Sequence, residues 1–190
     1  NIEGMEEMDE YALRSCLATA ERGRTSINLS RSMRPTCNEP PFDDAVRVRL
    51  PLWRTGWPLY DRSVFERDLQ RIQRWYRARG FYDATVQTVA YDPPGAAIDD
   101  RVDANSECER VRGGEGCELQ IDVVIDEGQP VTVQGTHLQG VEDLSADIRE
   151  ALADAISLED GERFDEQTYE VTKRALVTVL HNATYACATV

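Results

Sequence analysis

The chain has 190 residues, enough for one large domain or two small ones. Its 35 acidic and 21 basic residues give a formal charge of −14, which speaks against a nucleic-acid partner because phosphate contacts need clustered Lys and Arg. An apolar content of 41% is enough for a packed core, and no apolar run approaches the ~20 residues of a membrane-spanning helix.

In chain order, the first predicted helix lies near 9–17 and buries Ala12, Leu13 and Cys16. A polar, Pro-containing stretch follows between Cys16 and Cys37. The clearest helix runs over 61–79. Val64, Phe65, Leu69, Ile72, Trp75 and Tyr76 fall at helical spacing on one apolar stripe. Asp61 is its expected N-cap and Gly80 its stop. A strand follows over 82–91, in which Tyr82, Ala84, Val86, Thr88 and Ala90 alternate with Asp83, Thr85, Gln87, Val89 and Tyr91. Pro93-Pro94-Gly95 ends it, since proline cannot donate to a ladder. A polar loop carries Cys108 and Cys117 around a Gly-rich stretch, and Leu119, Ile121, Val123 and Ile125 then alternate as a further strand. Glu127-Gly128-Gln129-Pro130 is a turn, and Val131 and Val133 open another strand. A helix over 145–156 is expected to bury Ile148, Leu152 and Ile156, with Ser145 as N-cap. The last helix, 165–181, carries Tyr169, Leu176, Val179 and Leu180 on its stripe.

These elements repeat. Phe81-Tyr82-Asp83-Ala84-Thr85-Val86 recurs as Tyr185-Ala186-Cys187-Ala188-Thr189-Val190, an offset of 104 residues. Phe65, Ile72 and Trp75 meet Tyr169, Leu176 and Val179 at the same offset. Ile2-Glu3-Gly4-Met5 resembles Leu138-Gln139-Gly140-Val141 at an offset of 136. The difference of 32 residues is an insertion in the first copy, where Cys16 and Cys37 lie. The unit is strand–helix–helix–strand–strand. The first copy holds only the end of its first strand, and the second copy stops inside its second strand, so the chain is expected to be a piece that extends in both directions.

The five cysteines make no CxxC and, with only two His, no zinc pattern. Cys16 with Cys37 and Cys108 with Cys117 each close a loop, which suggests two disulfides and an oxidising compartment, with Cys187 left over. Spacing alone leaves the connectivity open. No nucleophile elbow, metalloprotease helix or phosphate loop is present, so no catalytic residue, cofactor or metal is expected. The acids Asp99, Asp100, Asp103, Asn105 and Glu107 lack the glycine of a calcium-binding loop. Arg62, Arg67, Arg71, Arg74, Arg77 and Arg79 read as a solvated helix face offset by nearby acids.

The run 65–86, with its Gly80-Phe81-Tyr82-Asp83-Ala84-Thr85-Val86 turn into a strand, resembles the second helix and second strand of polypeptide-transport-associated (POTRA) domains. Val123-Val124-Ile125-Asp126-Glu127-Gly128-Gln129-Pro130-Val131 resembles the third strand and "EG" turn of the same family. Thr184 stands where the second copy should have the turn glycine, and the first-copy insertion also departs from the pattern. The resemblance implies an α+β fold of tandem β-α-α-β-β modules, each a three-stranded mixed sheet packed on two helices. The expected modules are 1–128 and 129–190. It further implies a periplasmic docking, chaperone-like part of a bacterial outer-membrane assembly or translocation factor, tethered to that membrane by an attached barrel. Its partners would be unfolded outer-membrane client polypeptides or periplasmic accessory proteins. They would pair by β-augmentation with the edge of the second strand, flanked by Thr85, Gln87 and Val89. The alternative is the same module in a bitopic or soluble periplasmic adaptor without a barrel.

Overall fold

The computed structural model describes residues 1–19, 24–28, 47–54, 59–94 and 117–190. Their elements are β1 (Ile2–Glu3), α1 (Glu10–Cys16), β2 (Arg24–Asn28), β3 (Arg47–Arg54), α2 (Arg62–Arg77), β4 (Thr85–Asp92), β5 (Gln120–Asp126), α3 (Ala146–Asp154) and α4 (Glu166–Asn182).

Helix α2 starts where Asp61 holds extended backbone and its carboxylate accepts from the Val64 N–H at 3.1 Å. That satisfies one of the free donors of the first turn. The helix ends as its apolar stripe does. The Phe81 N–H donates back to the Tyr76 carbonyl at 3.0 Å, and Gly80 takes φ +87° between them.

The alternating strands form a mixed three-stranded sheet in the order β1-β5-β4. β1 runs parallel to β5, and β4 runs antiparallel to it. The apolar side of this sheet packs on the helices. Leu13, Phe65, Ile72, Trp75, Tyr76, Phe81, Ala84, Val123 and Ile125 make one buried cluster. Each large side chain in it contributes roughly 1.5–3 kcal/mol by leaving water. Tyr91 meets Tyr60 and Phe65 edge-on at ring separations of 6.4 and 6.1 Å, and Tyr60 and Phe65 meet at a tilt at 6.1 Å. They tie the start of α2 to the end of β4.

Two buried carboxylates fasten the loops. Glu127, of the "EG" turn, accepts from the Tyr76 hydroxyl at 2.8 Å and from the Glu6 and Glu7 N–H groups at 3.1 and 2.9 Å. This locks the β1–α1 connection onto the end of β5. Burial and the Glu127 carboxylate together push the Tyr76 hydroxyl far above its ordinary value. Asp68, fully buried on α2, accepts from the Ala18 and Thr19 N–H groups at 3.0 and 2.7 Å and from the Arg71 guanidinium. Burial raises its carboxyl, but the donors outweigh burial and leave it below the ordinary range. Asp68 therefore holds the root of the inserted segment.

The insertion carries structure that its polar sequence did not announce. β2 and β3 pair antiparallel as a separate ribbon, with a register shift between Arg24 and Ser26.

The ends of α4 match those of α2. Asp165 caps α4 by accepting from Thr168 N–H at 3.0 Å, as Asp61 does for α2. The Tyr185 N–H donates to the Leu180 carbonyl at 3.0 Å, the counterpart of Phe81 to Tyr76. Thr184 adopts φ +73° in place of Gly80. Gly4 and Gly140 also match, at φ +85° and +77°. Their surroundings differ: a Cβ on Gly4 would meet the Ile125 carbonyl oxygen at 2.0 Å, whereas one on Gly140 would meet nothing within 4 Å.

The predicted strands of the second copy do not form. Residues 185–190 are turn and irregular chain, and around Val131 and Val133 there is only an isolated bridge, Thr132 to Arg163. A lone extended segment has no neighbour to take its N–H and C=O groups. The stripe predictions shift accordingly. Leu152 and Leu176 are buried between α3 and α4, Ile148 and Ile156 only half so, and Tyr169 is 41% exposed where Phe65 is 5%. The expected cap at Ser145 has the right backbone but makes no side-chain hydrogen bond.

The two halves meet at the end of α2. The Val131 N–H donates to the Gly80 carbonyl and the Glu166 N–H to that of Ala78, both at 2.8 Å. Arg74 pairs with Glu166 at 2.6 Å. Gly80 sits so close that an added Cβ would lie 2.5 Å from the Phe164 carbonyl oxygen. Glycine is required there by both the left-handed turn and the junction.

Cys16 and Cys117 are disulfide-bonded, and Cys187 is free and exposed. Cys37 and Cys108, the partners expected from the sequence, lie outside the described residues, as does the acidic run from Asp99 to Glu107.

Candidate functional site

β4 is an edge. Among the described residues β5 pairs with it on one side and no strand pairs with it on the other. Which of its backbone groups point outward follows from β5. The Val123 N–H donates to the Asn1 carbonyl at 3.0 Å, and the Ile121 carbonyl accepts from the Asn1 amino group at 2.7 Å. Residues 121 and 123, and by alternation 125, therefore turn their backbone groups towards β1. Gln120, Asp122, Val124 and Asp126 turn theirs towards β4. In an antiparallel ladder a residue directs N–H and C=O to the same side. With the observed register, Thr85, Thr88, Ala90 and Asp92 face β5, while Val86, Val89 and Tyr91 present theirs to the outer edge.

The register shifts between Val86 and Thr88, so Gln87 is an extra residue, a β-bulge. It reverses the phase of the side chains. Val86 is directed inward before the bulge, and Val89 and Tyr91 after it, all packed against the core. Gln87 and Thr88 are both exposed. The sequence-based trio is therefore split: Thr85 and Gln87 lie on the outer face, and Val89 lies on the helix face, opposite to them. Strict alternation fails because one inserted residue moves every later side chain to the other face.

Along this edge runs an open groove of about 330 Å³ between α2 and β4. Leu69, Val86 and Val89 supply its apolar surface, and Gln70, Gln73, Gln87 and Thr88 its polar surface. Among the described residues no charged side chain lines it. The Gln87 amide is tied down by Thr85 Oγ1 at 3.1 Å and Asp126 Oδ2 at 3.3 Å. Sequence reasoning found the strand but missed the helix side of the groove. Leu69 was read as core, and Gln70 and Gln73 carried no signal without the packing angle of α2.

The arginines of α2 are largely engaged. Arg62 pairs with Glu66 at 2.9 Å, Arg71 with Asp68 and Arg74 with Glu166. Arg67 donates to the Ser63 carbonyl, and just past the helix Arg79 donates to the Trp75 carbonyl while covering the Trp75 ring at 3.9 Å. Among the described residues no cluster of His, Cys, Asp and Glu is arranged to hold a metal, and no helix is long and apolar enough to cross a membrane.

Comparison with known proteins places the fold. No curated protein matches the chain. Among solved structures, the crystal structure of the Haemophilus influenzae BamA POTRA3-5 region aligns with a TM-score of 0.37 at 15% identity, over 94% of this chain and 51% of that one. The chain thus spans about half the length of that structure. Residues 1–128 match the family model of POTRA, described as surface antigen variable number repeat. This match covers the β1-β5-β4 sheet, α1, α2 and the edge groove, well over half of the sequence, and the chain belongs to the POTRA family.

Proposed function

We propose that the sheet of the first unit is a docking surface for extended polypeptide, in a periplasmic module of an outer-membrane protein assembly or translocation factor. The observation that carries this is the outer edge of β4, where Val86, Val89 and Tyr91 turn main-chain groups that no strand among the described residues pairs, beside the groove formed with α2. A strand added there gains main-chain hydrogen bonds with little demand on sequence. That suits unfolded outer-membrane clients or periplasmic accessory proteins, and binding of this kind involves no catalytic step. The matching caps of α2 and α4 support reading 129–190 as part of a second POTRA-like unit. The bonded state of Cys16 and Cys117 supports the pairings Cys16–Cys37 and Cys108–Cys117 and an oxidising compartment.

Titration of a fluorescent extended peptide in low and high salt tests the reading. Main-chain pairing along this edge predicts nearly constant affinity. A steep loss with salt would move the site to the arginine face of α2.

A further inference from the structure

We infer that the joint between the two halves is a fixed elbow, locked by Glu166 against the end of α2, so that the halves move as one arm. The inference stands apart from peptide docking and does not depend on it.

Two units joined by a small, polar contact ordinarily move relative to one another. Here the contact is a closed ring of bonds. The end of α2 accepts from two separate segments, the Val131 N–H on the Gly80 carbonyl and the Glu166 N–H on the Ala78 carbonyl. Those segments are tied to each other, because the Phe164 N–H donates to the Val131 carbonyl at 2.8 Å. A hinge motion would therefore break bonds in both segments at once. The charges that close the joint are set in advance. Arg74 lies in the last turn of α2 and Glu166 in the first turn of α4, where the helix dipoles favour a cation and an anion respectively. The guanidinium meets the carboxylate through both terminal nitrogens, at 2.7 and 2.6 Å. This two-bond geometry fixes orientation as well as distance. Apolar surface closes in the same place. Phe81 is fully buried, with the Arg163 guanidinium 5.4 Å from its ring centre, and the Tyr82 and Phe164 rings meet at 6.4 Å across the joint. At the 104-residue offset Thr178 and Thr184 stand where the first copy has Arg74 and Gly80. The elbow thus belongs to this joint and not to the repeat as such.

The experiment uses the whole chain, with spin labels at Arg67→Cys on α2 and His181→Cys on α4, both exposed positions, in a Cys187→Ser background. Pulsed electron resonance then reads the angle of the elbow as a distribution of label distances. The parent should give one narrow distance. Glu166→Pro is the sharpest variant. Glu166 is the first residue of α4, where proline suits a helix because that N–H has no partner within it. The substitution removes both bonds of Glu166 to α2 and spares α4, so helix content by circular dichroism should hold while the distribution widens about twofold or more. Arg74→Gln removes the charge pair alone and should widen it by less. A broad distribution in the parent, or an unchanged one in folded Glu166→Pro, overturns the inference. If Glu166→Pro loses helix content, Arg74→Gln decides: a widened distribution upholds the lock and an unchanged one overturns it.

Discussion

Two adjacent proline substitutions on β4 separate docking from folding. Val89 turns its N–H to the open edge, and Ala90 turns its N–H to Asp122 of β5. Val89→Pro therefore removes no bond of the sheet. Its cost to stability is the trimmed packing of one half-buried side chain, about 1 kcal/mol. A docked strand would lose one main-chain bond, and its carbonyl would be left unpaired against the edge. Together these amount to about 2–3 kcal/mol, or about 30- to 150-fold in Kd. Ala90→Pro does the opposite. It breaks a ladder bond inside the sheet and should lower folding stability by about 3 kcal/mol or more. The assay pairs urea denaturation followed by circular dichroism with peptide titration by fluorescence anisotropy. Val89→Pro should melt near the parent and bind poorly. If Ala90→Pro is the well-folded variant and Val89→Pro the unstable one, the assignment of outward groups is inverted. If folded Val89→Pro binds like the parent, peptides do not dock on this edge.

Asp68→Asn should destabilise by about 2–3 kcal/mol, because one amide cannot satisfy two backbone donors and a guanidinium. The folded carboxyl of Asp68 lies below its unfolded value, so its contribution is present above the ordinary carboxyl range and is lost as pH falls through the folded value. The gap between parent and variant in urea melts should accordingly close as pH drops below about 4. Trp75→Ala should cost about 3–5 kcal/mol, since the ring is 1% exposed, and an unchanged denaturation midpoint would refute its place in the core. Thr184→Gly should stabilise by about 1 kcal/mol by relieving a branched residue at φ +73°, visible as a raised melting midpoint. Mass mapping of a non-reducing digest should find Cys16–Cys37 and Cys108–Cys117, each contributing about 2–4 kcal/mol, and a Cys37–Cys108 peptide would contradict the pairing.

Much of the fold was legible because local signals agreed. Asp61 and Gly80 punctuate a stripe of the right period, and the structure places the helix between them. The repeat even located Thr184 at a left-handed position that its residue type alone argues against. What failed depended on partners distant in sequence. The bulge at Gln87 arises from pairing with Val124, and nothing in the local pattern of 85–92 marks it. The stripe on α4 shows which face is apolar but not what covers it, so Tyr169 was placed in a core it does not enter. β2 and β3 lie in a stretch whose prolines and charges obscured a ribbon. The groove needed α2 and β4 to be set side by side before Leu69, Gln70 and Gln73 could be recognised as its wall.

The central claim is that an added strand pairs with the outer edge of β4. Amide hydrogen exchange, resolved residue by residue with and without a saturating extended peptide, reads that edge directly. In the free chain the amides of Thr88 and Ala90 should already be protected by β5, while those of Val89 and Tyr91 exchange quickly. With peptide bound, protection should appear at Val89 and Tyr91 and leave Thr88 and Ala90 nearly unchanged. Protection that instead appears along α2, or nowhere on β4, would contradict the account.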